Sequence, residues 1–237
     1  MSSAAANSAG YTADMIPLRD VIPSRTVPFV TVSIIILNLL AFFYEVSLPP
    51  EELQVFLRQY GVVPAHFAWM TVATSMFLHG GWLHVIGNMW YLWIFGDNVE
   101  DRVGHGRYLI FYLLCGTVAA LAQVMASPLS RLPTIGASGA IAGVMGAYFV
   151  LYPRSRILTL VPLFIFIEIL EVPAIVLLGF WFVIQVFSGV GSIAATTATR
   201  EAGGVAFWAH VAGFIAGFTG IFVFRRPERR TVDWWDT

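Results

Sequence analysis

Long apolar runs, broken by short polar segments, organise the 237-residue chain. A helix needs about 20 mostly apolar residues to cross a bilayer. On that scale the pattern predicts spans at Val27–Val46, roughly His79–Gly96, Tyr108–Ala126, about Ser138–Tyr152, Val172–Val190 and Gly203–Phe224. Pro28 stands in the first turn of the first run, where proline is tolerated because that N–H has no helical partner. Residues 47–70 carry Pro49, Pro50, Glu51, Glu52 and Arg58, which predicts a loop with a short surface helix. Ser127–Pro133 is a polar break. The stretch Ile157–Glu171 is apolar, but Pro162, Glu168 and Glu171 interrupt it. It is expected to be an interfacial or re-entrant connector. The expected fold class is therefore all-α, a polytopic membrane protein with six transmembrane helices.

Composition agrees with the pattern. The chain is 58% hydrophobic and 11% charged, against about 45–50% and about 25% in soluble domains. One membrane domain over residues 27–224 is expected, between tails at 1–26 and 225–237. The first tail, rich in Ala, Ser, Asn and Gly over residues 1–14, is expected to be disordered. It holds no long apolar stretch, so no cleavable amino-terminal signal is expected. Net charge is −1, which gives no electrostatic case for nucleic acid. The sole cysteine, Cys115, cannot form an internal disulfide, and its apolar surroundings point to packing.

Charge placement fixes an orientation. All 13 basic residues are arginine. With the amino terminus inside, ten of them lie in inner segments: Arg19, Arg25, Arg102, Arg107, Arg154, Arg156, Arg225, Arg226, Arg229 and Arg230. Arg58, Arg131 and Arg200 are the three outer ones. This obeys the positive-inside rule and puts both termini in the cytoplasm. The lack of an Arg-rich, transit-like start favours a prokaryotic plasma (inner) membrane.

Polar groups inside spans are costly and mark function. Ser138 opens the fourth span, and His210 lies in the sixth. Both helices, and the second, descend from outside to inside. Ser138 stands 16 residues before Arg154, His210 15 before Arg225 and His84 16 before Glu100. At 1.5 Å per residue, all three lie roughly 22–24 Å above the inner boundary. In a hydrocarbon core about 30 Å thick, that is one shared level, sunk under the outer surface. Small-xxx-small steps, Gly139–Gly143 and Gly213–Gly217, follow Ser138 and His210 and let helices approach closely.

A serine hydroxyl is a weak nucleophile until a base takes its proton. His210 is placed to be that base. No Asp or Glu falls in the outer half of the even-numbered spans, so a Ser138–His210 dyad is expected rather than a triad. His84 and Asn88, four apart, share one helix face. With the Ser138 amide they can stabilise an oxyanion. His79, five residues before His84, faces elsewhere and suits a structural hydrogen bond. A zinc site from His79, His84 and His210 lacks the His-Glu-x-x-His spacing of metalloproteases, so no metal or cofactor is expected.

These residues resemble the rhomboid family of intramembrane serine proteases. Gly136-Ala137-Ser138-Gly139 matches its Gly-x-Ser-Gly motif, and the run from Ala209 to Gly217 matches Ala-His-x-x-Gly-x-x-x-Gly. His79, His84 and Asn88 fit His-x4-His-x3-Asn; Gly96, Glu100 and Gly104 fit Gly-x3-Glu-x3-Gly, with Arg102 between them. The resemblance covers about residues 27–224 and makes the bundle rhomboid-like. It implies Ser138 as nucleophile, His210 as base, and His84 and Asn88 as oxyanion donors. It also implies cleavage of transmembrane protein substrates near the outer face of the lipid bilayer, without metal or cofactor. Residues 47–70 lack the Trp-Arg pair of many relatives. Ala142 stands where some members stack a tyrosine on the histidine. Phe180, Trp181 and Phe182 on the fifth span are candidates for a substrate gate. Two other readings are a non-catalytic rhomboid-like protein that binds membrane clients, and a small transporter. The presence of both Ser138 and His210 speaks against the first. The absence of an inverted repeat speaks against the second.

Overall fold

The apolar runs become helices, each ended by the residue chemistry at its edge. The computed structural model describes residues 15–163, 166–194 and 206–226. The tails at 1–14 and 227–237, Arg200 and the first residues of the sixth run (203–205) lie outside them. Helix α1 spans Phe29–Ser47 and stops at Leu48, which is extended because Pro49 follows it. Helix α2, Pro50–Tyr60, starts on a proline, with Glu51 and Glu52 in its first turn and Arg58 in its last. Those charges complement the helix dipole. Helix α3 is short, Trp69–Thr74. Helix α4 runs Trp82–Val103 and ends at Gly104, whose φ of 88° suits only glycine comfortably. Helix α5, His105–Ala126, begins on the next residue.

Helix α6 spans Ser138–Leu151, α7 Ala174–Ala194 and α8 Phe207–Phe224. Among the described residues, α1, α5, α7 and α8 are long and apolar enough to cross a membrane; α6 is apolar but shorter. Helix α4 starts three residues later than its sequence pattern suggests and runs on past Gly96 through Asp97, Glu100, Asp101 and Arg102. This charged end is used. Glu100 is fully buried and accepts the N–H groups of Val30 (2.9 Å) and Thr31 (2.8 Å) and the Thr31 hydroxyl (2.7 Å). A carboxylate from α4 thus satisfies donors that the first turn of α1 leaves free.

The expected all-α fold is modified at one place. The described residues of 157–171 fall in two antiparallel strands, β2 at Arg156–Leu163 and β3 at Phe166–Pro173, with Arg156 opposite Pro173. Strand β1, Ile16–Asp20, pairs antiparallel with β2, giving the order β1-β2-β3. Ile157 and Thr159, two apart, are fully buried, the period of a half-buried strand. An open sheet edge has no place in hydrocarbon, so this sheet belongs outside it, at the arginine-rich end.

The disorder expected over 1–26 therefore does not extend to the strand. Residues 16–26 are tied down. Trp90 Nε1 donates to the Pro17 carbonyl (2.7 Å), Asn98 Nδ2 to Asp20 (2.7 Å), and Asp101 accepts the N–H groups of Arg25 (2.6 Å) and Thr26 (3.0 Å).

The core sits around α6, whose residues Gly139 to Tyr148 are all buried. Helices α6 and α8 run parallel at backbone contact. A methyl group at Gly213 would overlap the Gly139 carbonyl, and one at Gly217 would overlap the Gly143 carbonyl. The same stagger sets position 138 beside position 210.

Candidate active site

Ser138 is the first residue of α6, preceded by the tight segment Ile135-Gly136-Ala137. Gly136 takes a φ of 123°, a conformation that strains any residue with a Cβ. A second constraint acts there: a Cβ at Gly136 would lie 2.8 Å from His84 Nε2. The glycine therefore both permits the turn and lets the His84 ring in. The Gly136 N–H donates to the Ser75 carbonyl (2.9 Å), which anchors the turn.

His210 lies in the first turns of α8. Its Nε2 is 2.8 Å from Ser138 Oγ, and its Nδ1 is 2.8 Å from Gln185 Oε1 on α7. Both Ser138 and His210 are half-buried, while Gln185 is 8% exposed. Gln185 Oε1 can only accept a hydrogen bond, so the imidazole carries its hydrogen on Nδ1. Nε2 then presents a lone pair that accepts the hydrogen bond of the serine hydroxyl. Trp181, four residues before Gln185, lies against the same imidazole, ring centroids 5.8 Å apart at 37°. Aromatic support that Ala142 on α6 cannot give comes from α7 instead. Of the three gate candidates, Trp181 and Phe182 pack on Phe214 of α8 at 6.1 and 4.7 Å, and Phe180 is largely exposed.

His84 and Asn88 sit one turn apart on α4. The Gly80 N–H donates to His84 Nδ1 (3.3 Å), which leaves the ring hydrogen on Nε2, directed at Gly136. Asn88 is buried, and its Nδ2 has no hydrogen-bond partner among the described residues. Ser138 and His210 are thus joined directly. His84 reaches the turn beside the serine, and Asn88 supplies an unspent donor on the same helix face.

His79 differs in detail from the expected structural hydrogen bond. Its backbone N–H, not its ring, makes it, donating to both oxygens of the Glu45 carboxylate (3.3 and 3.1 Å). The buried ring packs edge-on to His84, centroids 5.0 Å apart. Glu45 and Gln185 escaped the motif reading. An uncharged Gln185 four residues after Trp181 in an apolar span was the available signal, since a polar residue there needs a partner.

Comparison with known proteins bears on the family of the whole domain. The family model described as Rhomboid domain matches residues 66–227. Rhomboid protease GluP of Bacillus subtilis is 34% identical over 172 residues, 70% of this chain and 32% of that protein. RHOMBOID-like protein 6, mitochondrial, of Arabidopsis thaliana is 28% identical over 168 residues, 70% of this chain and 47% of the relative. Rhomboid protein 1, mitochondrial, of Saccharomyces cerevisiae is 30% identical over 112 residues, 45% and 32% respectively. The match to this chain spans 32–47% of these relatives' length. Because the domain match takes in well over half of its residues, the chain belongs to the rhomboid family.

Proposed function

We propose that the chain is an intramembrane serine endopeptidase that cleaves transmembrane protein substrates near the outer membrane face by a Ser138–His210 dyad. The observation that carries this reading is the 2.8 Å contact between His210 Nε2 and Ser138 Oγ. Ser138 Oγ attacks the scissile carbonyl carbon as its proton passes to His210 Nε2. The carbonyl π pair moves onto oxygen. His84 Nε2–H, Asn88 Nδ2–H and the Ser138 N–H at the start of α6 are the donors for that oxyanion. Collapse breaks the C–N bond, and the leaving amine takes the proton from His210. Water, deprotonated by the same histidine, then hydrolyses the acyl-serine and restores the hydroxyl.

Helix length supports a sunken site. Helix α6 has 14 residues, about 21 Å at 1.5 Å each, against a hydrocarbon core of about 30 Å. Its inner end, at the arginine-rich boundary, leaves Ser138 about 9 Å below the outer surface. Helices α4 and α6 complete six spans with the four longer ones. The arginine distribution supports a cytoplasmic side for both termini.

The test is cleavage of a model transmembrane substrate by the full chain in liposomes. Ser138→Ala and His210→Ala are expected to lower cleavage at least about 10³-fold. Cleavage retained by Ser138→Ala would refute the nucleophile. A parent chain that binds the substrate without cutting it would favour the client-binding reading.

A further inference from the structure

The hydrogen bond from His210 Nδ1 to Gln185 Oε1 does work that Ser138 and His210 cannot do alone. A neutral imidazole has two tautomers, and only the one with hydrogen on Nδ1 leaves Nε2 free to accept the serine proton. Among the described residues no carboxylate stands at Nδ1; the acceptor is the uncharged amide of Gln185, at 2.8 Å and 8% exposed. We propose that Gln185 is the positioning residue of this active site, selecting the Nδ1–H tautomer of His210 and fixing the plane of its ring. The proposal rests on the dyad reading above.

Three features support it. Gln185 and Trp181 are four apart and so lie on one face of α7. Together they hold His210 at two places, the ring by Trp181 (5.8 Å) and the Nδ1–H by Gln185. A buried amide oxygen in an apolar span is costly unless paired, and Nδ1–H is the partner it has. Finally, the imidazolium formed during proton transfer keeps its Nδ1–H, so the amide dipole favours the charge as it develops. A neutral acceptor does this less than a carboxylate would, and it adds no full charge to the bilayer interior. Helix α7 thereby belongs to the catalytic apparatus through Gln185, although it contributes no reacting atom.

Gln185→Met keeps the side-chain length and removes the acceptor. Gln185→Glu keeps the acceptor. In liposome cleavage assays, Gln185→Met is expected to lower kcat about 10–100-fold with KM changed less than about threefold. Gln185→Glu is expected to stay within about threefold of the parent, because it still accepts the Nδ1–H. A kcat unaltered by Gln185→Met, or an equal loss in both variants, would overturn the proposal.

Imidazole ¹⁵N resonances of the parent chain, with His210 assigned by its loss in His210→Asn, read the tautomer without turnover. Hydrogen on Nδ1 in the parent, giving way to a mixture in Gln185→Met, is the expected result. Hydrogen on Nε2 in the parent would overturn the proposal even if Ser138 proves to be the nucleophile. The Nδ1–H signature in a chain that cuts nothing would uphold the assignment of Gln185 while the protease reading fell.

Discussion

His84 shows how one backbone N–H decides what a side chain can do. Donation from Gly80 to Nδ1 at 3.3 Å leaves the ring hydrogen on Nε2, which comes close to Gly136 in the turn before Ser138. Preorganised donors of this kind are commonly worth about 10²–10³ in kcat. His84→Ala is expected to reduce kcat by about 10²-fold, measured on the same liposome substrate. The fold should persist, because among the described residues the ring makes one hydrogen bond and one aromatic contact, to Gly80 and His79. An unchanged kcat would remove His84 from the oxyanion site. At this scale the sequence singles out strongly polar groups within apolar runs. Ser138, His210, His84 and Asn88 stand out because each is expensive in an apolar run. Gln185 did not stand out, because a neutral amide breaks hydropathy only slightly and its partner lies 25 residues away. Trp181 was noticed for its position on the fifth span, yet its contact with His210 depends on the rotation of α7, which periodicity alone leaves open.

Among the elements, helices were legible and the sheet was not. Runs such as 108–126 are long and mostly apolar, and the structure moves only the start, to His105. The pairing of β2 and β3 hides in residues whose apolar content suits either a connector or a strand. Its alternation, with Ile157 and Thr159 buried, is short. Strand β1 was less visible still, because five residues inside a polar tail owe their structure to partners over a hundred positions away. This strand carries a pH dependence. Burial, helped by the neighbouring charge of Asp97, pushes the Asp20 carboxyl up to about 6, against the hydrogen bond donated by Tyr148. A carboxyl raised in the folded state binds its proton more tightly there than when unfolded. Its stabilising contribution is complete below the ordinary carboxylate range, near 4, and is lost as pH rises through about 6. Asp20→Asn should therefore flatten the fall in melting temperature between those two values in detergent. Parallel pH curves for parent and variant would show that Asp20 carries none of it.

In the whole molecule, the close approach of α6 and α8 explains why two residues 72 positions apart meet. Gly139, Gly143, Gly213 and Gly217 remove the side chains that would hold the backbones apart, and the parallel stagger sets Ser138 against His210. Equal depth could be counted from arginine boundaries before any contact was known, because a bilayer makes height along a helix readable from sequence. Rotation of each helix about its axis could not be counted, and that rotation decides which groups touch. A small hydroxyl and an imidazole in register at one end of a short central helix are what the proposed acyl-transfer site requires. The most direct measurement of that account is covalent capture. The full chain in detergent is treated with a fluorophosphonate, and the adduct is located by peptide mass spectrometry. One phosphonyl group on Ser138, lost when His210 is replaced by alanine, is the result the account requires. Labelling of Ser138 that is indifferent to His210, or an active chain whose only adduct lies on another residue, would contradict it.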